Sequence, residues 1–508
     1  MNNKKQIGVG AIISYVSIIA NIVVGLVYTP WMIKQIGQSQ YGLYTLANSL
    51  ITLFLIDFGL SSAAARYVSN YHAEGRESEV NNFLGVIYKF YMIVDFVIFI
   101  ALTVIFFCID GIYKNLTPIE LQQFKVVYIV AASFNLVNLP FVTFNGILTA
   151  YEKFIQLKLA DLIYRALVVG LTVTVLVLNW GLYALVAANA VAGLFIIIYK
   201  FIVIKATTDV RVNFRYKDKK LFSEIFSFSF WTTVLSLATR LIFNITPTIL
   251  GIVANSAAIA VFGIVTAIEG YSYTITTAIN GMFMPTISKI YMQSDDDKNI
   301  NEQIMPLMIN VGRFQFALNG LIIVGFALVG KSFINLWVGA DYIDAYYGII
   351  LVILPGIFFN PLQVANTAMT VMNKVKIQAI IAIICGVTNI AISFVASKYY
   401  GVIGASASIC IAYILRSILY MIVDQKIMRF DMKQFAIRCY LRMVPVVIIT
   451  LCLGIVINYF IVDKGWLIWA MKAVIVICIY MIAVLAFGIT NQERKNIFSK
   501  IKLKLKRK

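Results

Sequence analysis

Apolar runs of twenty or more residues recur from one end of the chain to the other, and short polar segments separate them. A helix of about twenty apolar residues crosses a hydrocarbon core of roughly 30 Å. The pattern therefore predicts an all-α polytopic membrane protein with about fourteen transmembrane helices. The predicted helices cover residues 7–29, 42–65, 83–109, 125–150, 159–178, 181–204, 225–252, 257–287, 308–329, 345–372, 377–396, 401–423, 444–462 and 466–488.

Lysine and arginine residues are distributed unevenly between the two sides of these predicted helices. Counting them in alternate loops gives 29 on one side and 6 on the other. Because cytoplasmic loops carry the excess of basic residues, the larger group marks the cytoplasmic side. Both termini are then predicted to be cytoplasmic, which requires an even number of helices.

Two basic cytoplasmic connections, residues 205–224 and 424–443, are the longest predicted loops. They divide the chain into an N-lobe of helices 1–6 (residues 1–204), a C-lobe of helices 7–12 (225–423) and helices 13 and 14 (444–488), followed by a basic tail (489–508). No predicted loop is long enough to fold as an ATPase or glycosyltransferase domain, and no GxxxxGK[ST] motif is present.

The two lobes carry an internal repeat with an offset of about 221 residues. A parallel repeat of six plus six helices is typical of transporters, in which two bundles move against each other around a substrate site. The matching landmarks are Tyr41-Gly42-Leu43 with Phe262-Gly263-Ile264, Pro140 with Pro361, Lys153 with Lys374, and Gly181 with Gly401, which is one residue off.

The composition indicates that the bilayer is the main solvent. Hydrophobic residues make up 61% of the chain and charged residues 13%, whereas a soluble protein carries about 25% charged residues. The net charge of +19 lies mostly in short loops and in the tail Ile501–Lys508, which argues against nucleic acid as a partner. This tail is expected to contact anionic membrane lipid, or else to be a solvated segment.

Six cysteines occur without a CxxC or Cys/His pattern. Neither a disulfide framework nor a metal site is therefore predicted, and no cofactor is implied.

Polar side chains are costly inside a membrane, so their distribution indicates which helices face water. Helices 1, 2, 7 and 8 are rich in Ser, Thr and Asn, whereas helices 13 and 14 are almost entirely apolar. We therefore expect helices 1, 2, 7 and 8 to line a central cavity. Hydrogen bonding between packed helices is the alternative role for the individual hydroxyl groups.

Four charged residues lie deep in predicted helices: Asp57, Asp95, Arg240 and Glu269. The repeat places an uncharged residue opposite Arg240, Glu269 and Asp57, so the scaffold itself does not require these charges. Arg240 is predicted to bind an anionic group such as a diphosphate, because a guanidinium presents paired donors to phosphate oxygens. Asp57, Glu269 and Asp95 are candidates for binding a coupling proton or sodium ion. Mutual neutralisation of Arg240 and Glu269 is the alternative.

The polar helices also contribute candidate substrate-binding residues besides Arg240, namely Glu269, Asp57, Asn244 and Tyr273. Basic residues nearer the helix ends are expected instead to extend their side chains to the membrane interface. These are Lys89, Lys200, Arg313, Arg416 and Lys472.

Four short motifs occur in the region of predicted helices 1 and 2: Ile36-Gly37, Tyr41-Gly42-Leu43-Tyr44, Asp57-Phe58-Gly59-Leu60 and Arg66-Tyr67-Val68. As a set they resemble the bacterial polysaccharide transporter family, which includes the O-antigen-type flippases of the multidrug/oligosaccharidyl-lipid/polysaccharide exporter superfamily. The resemblance implies a flippase in a bacterial plasma membrane. It would move undecaprenyl-diphosphate-linked oligosaccharide from the inner to the outer leaflet by alternating access. It also implies a cationic cavity, onto which Arg240 and Arg66 would map, and other polysaccharide assembly proteins as partners.

Three other functions compete with this interpretation. A multidrug antiporter of the same superfamily typically needs only twelve helices, so helices 13 and 14 favour the flippase, in which they can offer a groove for a lipid tail. A lipid II flippase is a third possibility that the sequence leaves open. A membrane-embedded polysaccharide polymerase would be an enzyme, and the predicted outer loops, 110–124 and 331–344, contain no histidine and no catalytic constellation.

Overall fold

The structure is a computed structural model that describes residues 3–55, 57–278, 283–293, 297–461, 465–489 and 494. It is 89% helical, and no strand occurs among these residues. The first ten helices are α1 (Asn3–Ile36), α2 (Gln38–Phe54), α3 (Leu60–Ala73), α4 (Glu77–Ile112), α5 (Pro118–Asn138), α6 (Thr143–Ala150), α7 (Phe154–Val177), α8 (Gly181–Thr207), α9 (Lys219–Phe243) and α10 (Thr246–Val253). Of the basic tail (489–508), residues 490–493 and 495–508 lie outside the described residues.

The second ten helices complete the chain. They are α11 (Ser256–Thr277), α12 (Met284–Gln293), α13 (Asp297–Trp337), α14 (Asp344–Ile353), α15 (Gly356–Phe359), α16 (Gln363–Val371), α17 (Val375–Lys426), α18 (Met432–Phe435), α19 (Arg442–Phe460) and α20 (Gly465–Ala483). Short 3₁₀ turns cover Leu139–Val142, Ala340–Tyr342 and Asn360–Leu362, and π-helical turns cover Ala436–Leu441 and Val484–Gly488.

Ten helical segments in the described part of the chain are long and apolar enough to cross a membrane, or eleven if the pair α9 and α10, bent by 40°, counts as one span. The all-α membrane fold is thereby confirmed, whereas the number fourteen stays a prediction. The 52 residues of α17 would extend about 78 Å as one straight helix, more than twice the hydrocarbon thickness. Gly401 interrupts them with a non-helical backbone (φ 53°, ψ −127°), at the position where the sequence predicts helix 12 to begin.

The prediction of helix 2 as one continuous helix is wrong. The chain breaks between Phe54 and Leu60, and both Phe58 (φ 54°) and Gly59 (φ 68°) adopt left-handed backbone conformations. A left-handed residue cannot continue a right-handed α-helix, which explains the break. The apolar run on both sides of the break hid it from the hydrophobic pattern.

Proline explains two further interruptions. Pro140 and Pro361 both lie within 3₁₀ turns, where the predicted helices 4 and 10 were continuous. Proline has no N–H and clashes with the preceding turn, so each helix resumes only after it.

The chain folds into two compact units. The first unit comprises Trp31–Gly263 and Val375–Gly401, and the second comprises Met1–Pro30, Ile264–Lys374 and Val402–Lys508. The lobe boundaries predicted from the sequence remain a prediction.

In the first unit, the two halves of the broken helix 2 pack against the helices of the chain that follow. Ser61 Oγ donates to the Val142 carbonyl at 2.9 Å, and Gly146 lies so close to α3 that an added Cβ would be 2.9 Å from the Cβ of Ala64. Glycine allows this close approach because it has no side chain, as is common where membrane helices pack.

In the second unit, α19 and α20 pack along α13. Asn458 Nδ2 donates to the Leu328 carbonyl at 2.6 Å, and Trp469 Nε1 donates to the Val329 carbonyl at 3.0 Å. The apolar terminal pair is therefore anchored to α13 through hydrogen bonds to its carbonyl groups.

Lys472 of α20 is only 2% exposed, so the prediction that its side chain extends to the membrane interface is wrong.

Candidate functional site

In the first unit, Arg240 lies at the broken end of α2. It is on the last turn of α9, it is half-buried, and its Nη1 donates to the Thr52 carbonyl. The last carbonyl groups of a helix have no partner within the helix, so they accept from such donors. Asn244 caps α9 one turn after Arg240, and its N–H donates to the Arg240 carbonyl at 2.8 Å.

Most N–H donors of the Arg240 guanidinium have no hydrogen-bond partner among the described residues. A guanidinium has five N–H groups, and in the described part of the chain the Thr52 carbonyl is its only hydrogen-bond partner. A half-buried guanidinium with free N–H groups is suited to bind phosphate oxygens in the paired geometry that arginine favours.

Asp57 lies in the break itself, and its carboxylate has a structural role. Its Oδ1 accepts from the Ser61 N–H at 3.2 Å and from the Tyr91 hydroxyl at 3.0 Å. The first bond caps the start of α3 and satisfies a backbone donor there. The structure thus shows a local reason for this carboxylate, which competes with its predicted role in binding a coupling ion.

Asp95 lies one turn after Tyr91 on α4, so the two side chains share a face of that helix. Its Oδ1 is buried, and no hydrogen-bond partner for this atom lies among the described residues. A buried carboxylate oxygen without a partner is costly in an apolar environment. Asp95 therefore fits the predicted ion-coupling role better than Asp57. The remaining candidate of this unit, Arg66, lies exposed on α3.

In the second unit, Glu269 and Tyr273 lie one turn apart on α11. The Glu269 carboxylate and the Arg416 guanidinium each interact electrostatically with the side chains of Tyr273 and Tyr413. Tyr413 is also hydrogen-bonded to Arg416. Glu269 is half-buried, whereas Tyr273 is 51% exposed and accessible to a ligand. The structure therefore brings the two candidates of this unit together with an arginine that the sequence analysis did not select.

Aromatic rings surround this arginine. The Arg416 Cζ lies 4.6 Å from the ring centre of Phe359, 5.5 Å from that of Tyr413 and 5.7 Å from that of Tyr420. These distances are within the range of cation–π attraction, and Arg416 is only 7% exposed. The prediction that Arg416 extends to the membrane interface is therefore wrong, because the rings hold the charge inside the protein.

Buried amides continue the polar surface along α11. Asn360 Nδ2 donates to Asn319 Oδ1 at 2.9 Å and to Thr276 Oγ1 at 3.3 Å. Asn319 Nδ2 donates in turn to the Gln315 carbonyl at 2.8 Å. Thr276 lies two turns after Glu269, so the chain of hydrogen bonds extends from the same helix into α13. This ladder connects helices and is the interhelical bonding expected as the alternative role for such groups.

The sequence analysis missed Arg416, Tyr413 and Tyr420, although their spacing gave a usable signal. Residues three and four apart lie on one face of a helix, so the two tyrosines flank the arginine along α17. Phe359 gave no such signal, because it comes from a distant part of the chain.

The comparisons with known proteins agree on one class. Residues 7–291, more than half of the chain, match the model of a family described as polysaccharide biosynthesis protein. A Shigella flexneri protein named “Putative O-antigen transporter” is 23% identical over 398 residues, which cover 77% of this chain and 90% of that protein.

Solved structures show the same fold. The inward closed conformation of the lipid II flippase MurJ aligns with a TM-score of 0.72 at 16% identity, over 94% of this chain and 98% of that one. An inward-facing multidrug resistance transporter of the MATE family, from the MOP superfamily, aligns with a TM-score of 0.69 at 11% identity, over 80% of this chain and 94% of that one. The chain thus has the fold shared by MurJ and MATE transporters, and its sequence shows that it belongs to the polysaccharide biosynthesis protein family.

Proposed function

We propose that this protein is a flippase that moves undecaprenyl-diphosphate-linked oligosaccharide from the inner to the outer leaflet of a bacterial cell membrane. It would work by alternating access, with both termini in the cytoplasm, and serve the export of cell-surface polysaccharide. Membership of the polysaccharide biosynthesis family and the likeness to an O-antigen transporter support this class of substrate. The observation that carries the proposal is the half-buried Arg240 guanidinium, whose free N–H groups suit a diphosphate.

Two further features support recognition of the other parts of such a substrate. Tyr273 and Glu269 offer an exposed aromatic ring beside a carboxylate, a pairing that can stack on a sugar ring and accept its hydroxyl hydrogens. Glu269 and Asp95, with Asp57 as a third candidate, would bind the coupling proton or sodium ion.

An apolar cavity in the second unit supports a binding site for the lipid tail. It has a volume of about 310 Å³ and lies between α1, α11, α13 and α20. The wall formed by α20 includes Trp469 and Ile477, opposite Phe326 and Phe333 of α13. The terminal helix pair would thus shelter part of a polyprenyl chain, in agreement with the role predicted for helices 13 and 14.

Backbone landmarks support the proposal that two six-helix lobes move against each other. The 3₁₀ turns at Leu139–Val142 and Asn360–Leu362 begin 221 residues apart, which is the offset found in the sequence. Glu152 and Asn373 are also 221 residues apart, and both have left-handed backbones with φ of 54° and 56°. The two turns share a proline, whereas Glu152 and Asn373 differ in residue type, so identical side chains do not account for the second match.

A lipid II flippase is the second candidate, because the MurJ fold covers 94% of this chain. The multidrug antiporter has less support, since the MATE fold leaves about a fifth of the chain unmatched. An enzymatic role finds no support in the transporter relatives.

The test is transport by purified protein in liposomes. A fluorescent undecaprenyl-diphosphate oligosaccharide would be followed from the inner to the outer leaflet for the parent, for Arg240→Ala and for Arg215→Ala. Arg215 is exposed in the linker after α8, so the second variant removes the same charge away from the site. We expect transport that is lost in Arg240→Ala and kept in Arg215→Ala.

Other outcomes separate the alternatives. Transport that survives in Arg240→Ala would reject the diphosphate role of this residue and leave the flippase. Movement of lipid II in preference to the oligosaccharide would favour the second candidate. Efflux of cationic dyes under an ion gradient, without lipid movement, would reject the flippase.

A further inference from the structure

A groove lies at the C-terminal end of α17, against the segment that follows it. The distribution of basic residues predicts that this end is cytoplasmic. Its volume is about 640 Å³, and its walls are formed by Ile418, Ile422 and Lys426 of α17 and by Lys433 and Ala436 of the following segment. All of these residues belong to the second unit, and none of them is used in the proposed transport function.

The groove is apolar along its length and basic at one end. Ile418, Ile422 and Lys426 follow each other at intervals of four residues, so they share one face of α17. Ile422 therefore lies about 6 Å, and Ile418 about 12 Å, before Lys426 along the helix axis. Lys426 is the last residue of α17, and Lys433 lies in α18, the short helix that begins at Met432. The two lysines therefore lie on either side of the connection between these helices. Aliphatic chains above two ammonium groups are complementary to a phospholipid with an anionic head group.

The charge around the groove favours an anion. Lys426 and Lys433 are exposed, and neither makes an ion pair within the described part of the chain. Of the two acidic residues nearby, Asp424 is fully buried, and Asp431 uses its Oδ1 to accept from the Gln434 N–H at 2.9 Å. Both ammonium groups are thus without an ion-pair partner among the described residues and can interact with an anionic ligand.

We propose that this groove binds an anionic phospholipid of the cytoplasmic leaflet. Its phosphate would lie between Lys426 and Lys433, and one acyl chain would lie along Ile422 and Ile418. Ala436 also lines the groove, and its small side chain would leave room for the acyl chain. The site differs from diffuse attraction of basic loops to the membrane in having a defined apolar wall.

The experiment uses delipidated full-length protein in a neutral detergent, titrated with dioleoylphosphatidylglycerol or dioleoylphosphatidylcholine, with bound lipid counted by native mass spectrometry. The test variant is Lys426→Gln/Lys433→Gln. The control is Lys217→Gln/Lys219→Gln, which removes two exposed lysines from the other cytoplasmic linker. A basic residue near an anionic surface contributes about 1 kcal/mol, so we expect the phosphatidylglycerol affinity to fall about thirtyfold in the test variant. The control should bind as the parent does.

A second variant, Ala436→Leu, fills the groove without changing the charge, and we expect it to weaken phosphatidylglycerol binding as well. Unchanged binding in both variants would overturn the proposal. Equal losses in the test and control pairs would also overturn it, because they indicate diffuse attraction. Preferential capture of undecaprenyl diphosphate over phosphatidylglycerol would assign the groove to the transport substrate and so refute the phospholipid assignment.

Discussion

Substitution of Gly42 by alanine tests the close packing of α2 against the start of α11 in the first unit. Gly42 lies in the first turns of α2, beside the start of α11. A Cβ at this position would overlap the Ser256 carbonyl oxygen and lie 3.3 Å from the Ala260 nitrogen. Both contacts are to backbone atoms, which cannot rotate away as a flexible side chain would. Alanine therefore has to push the two helices apart.

Two effects of opposite sign decide the result. Alanine favours the helix over glycine by about 1 kcal/mol. Overpacking costs about 1–3 kcal/mol. Separation also stretches the bridge in which Glu120 Oε1 accepts from Ser39 Oγ and Ser256 Oγ, both at 2.5 Å. Hydrogen bonds to a charged group contribute about 1.5–3 kcal/mol. We therefore expect a net loss of about 2–4 kcal/mol in the free energy of unfolding.

The assay is thermal unfolding of purified protein in one detergent, read as the folded fraction that survives heating in size-exclusion chromatography. Gly170→Ala is the matched control, because Gly170 lies inside α7 with nothing within 4 Å of an added Cβ. The control should be as stable as the parent or slightly more so, by up to about 1 kcal/mol. If Gly42→Ala unfolds at the same temperature as Gly170→Ala, the close approach of α2 and α11 is not a constraint and the reasoning is refuted.

Two further predictions concern the ends of helices. Asp57→Ala should destabilise the fold by about 1 kcal/mol, because it removes the oxygen that accepts from the Ser61 N–H at the start of α3. Tyr91→Phe should lower stability by a similar amount, because it removes the 3.0 Å hydrogen bond to Asp57; additive losses in the double variant would reject that coupling. Asp218 caps α9, and the backbone N–H of Leu221 is the main reason why the pKa of this carboxyl lies below its ordinary value. Because the pKa of Asp218 is lower in the folded protein, the ionised carboxylate stabilises the fold at pH values above its unfolded pKa of 3.8. This stabilisation is lost as the pH falls through the folded-state pKa. Hydrogen exchange in the first turn of α9 should therefore be faster in Asp218→Ala than in the parent at pH 7, and the two should converge in acid; a difference that persists there would contradict the cap.

Hydrophobic pattern alone predicted the membrane class and most helix positions, because a membrane span must be long and apolar. It could not locate the break at Phe58 and Gly59, since both residues are apolar or small and extend the run. Pro140 and Pro361 were visible in the sequence, and their effect on the helices follows from ordinary proline geometry.

The candidate site was less accessible to sequence reasoning. Depth in a predicted helix selected Arg240 and Glu269, which are both half-buried in the structure, but the same rule assigned Arg416 to the interface. Its burial depends on Phe359, which lies 57 residues earlier in the chain. Contacts over such a distance follow from tertiary packing, which periodicity along one helix does not report.

The broken helix 2 has a consequence for how the protein enters the membrane during synthesis. At 1.5 Å per residue, the 17 residues of α2 extend about 26 Å and the 14 residues of α3 about 21 Å, each short of a hydrocarbon core of roughly 30 Å. Taken alone, α2 is at the lower limit of length for a membrane span and α3 is below it. The partners that cover α3, around Val142 and Gly146, are translated some eighty residues later. The contacts that bury α3 in the folded protein can therefore form only after those residues have been synthesised.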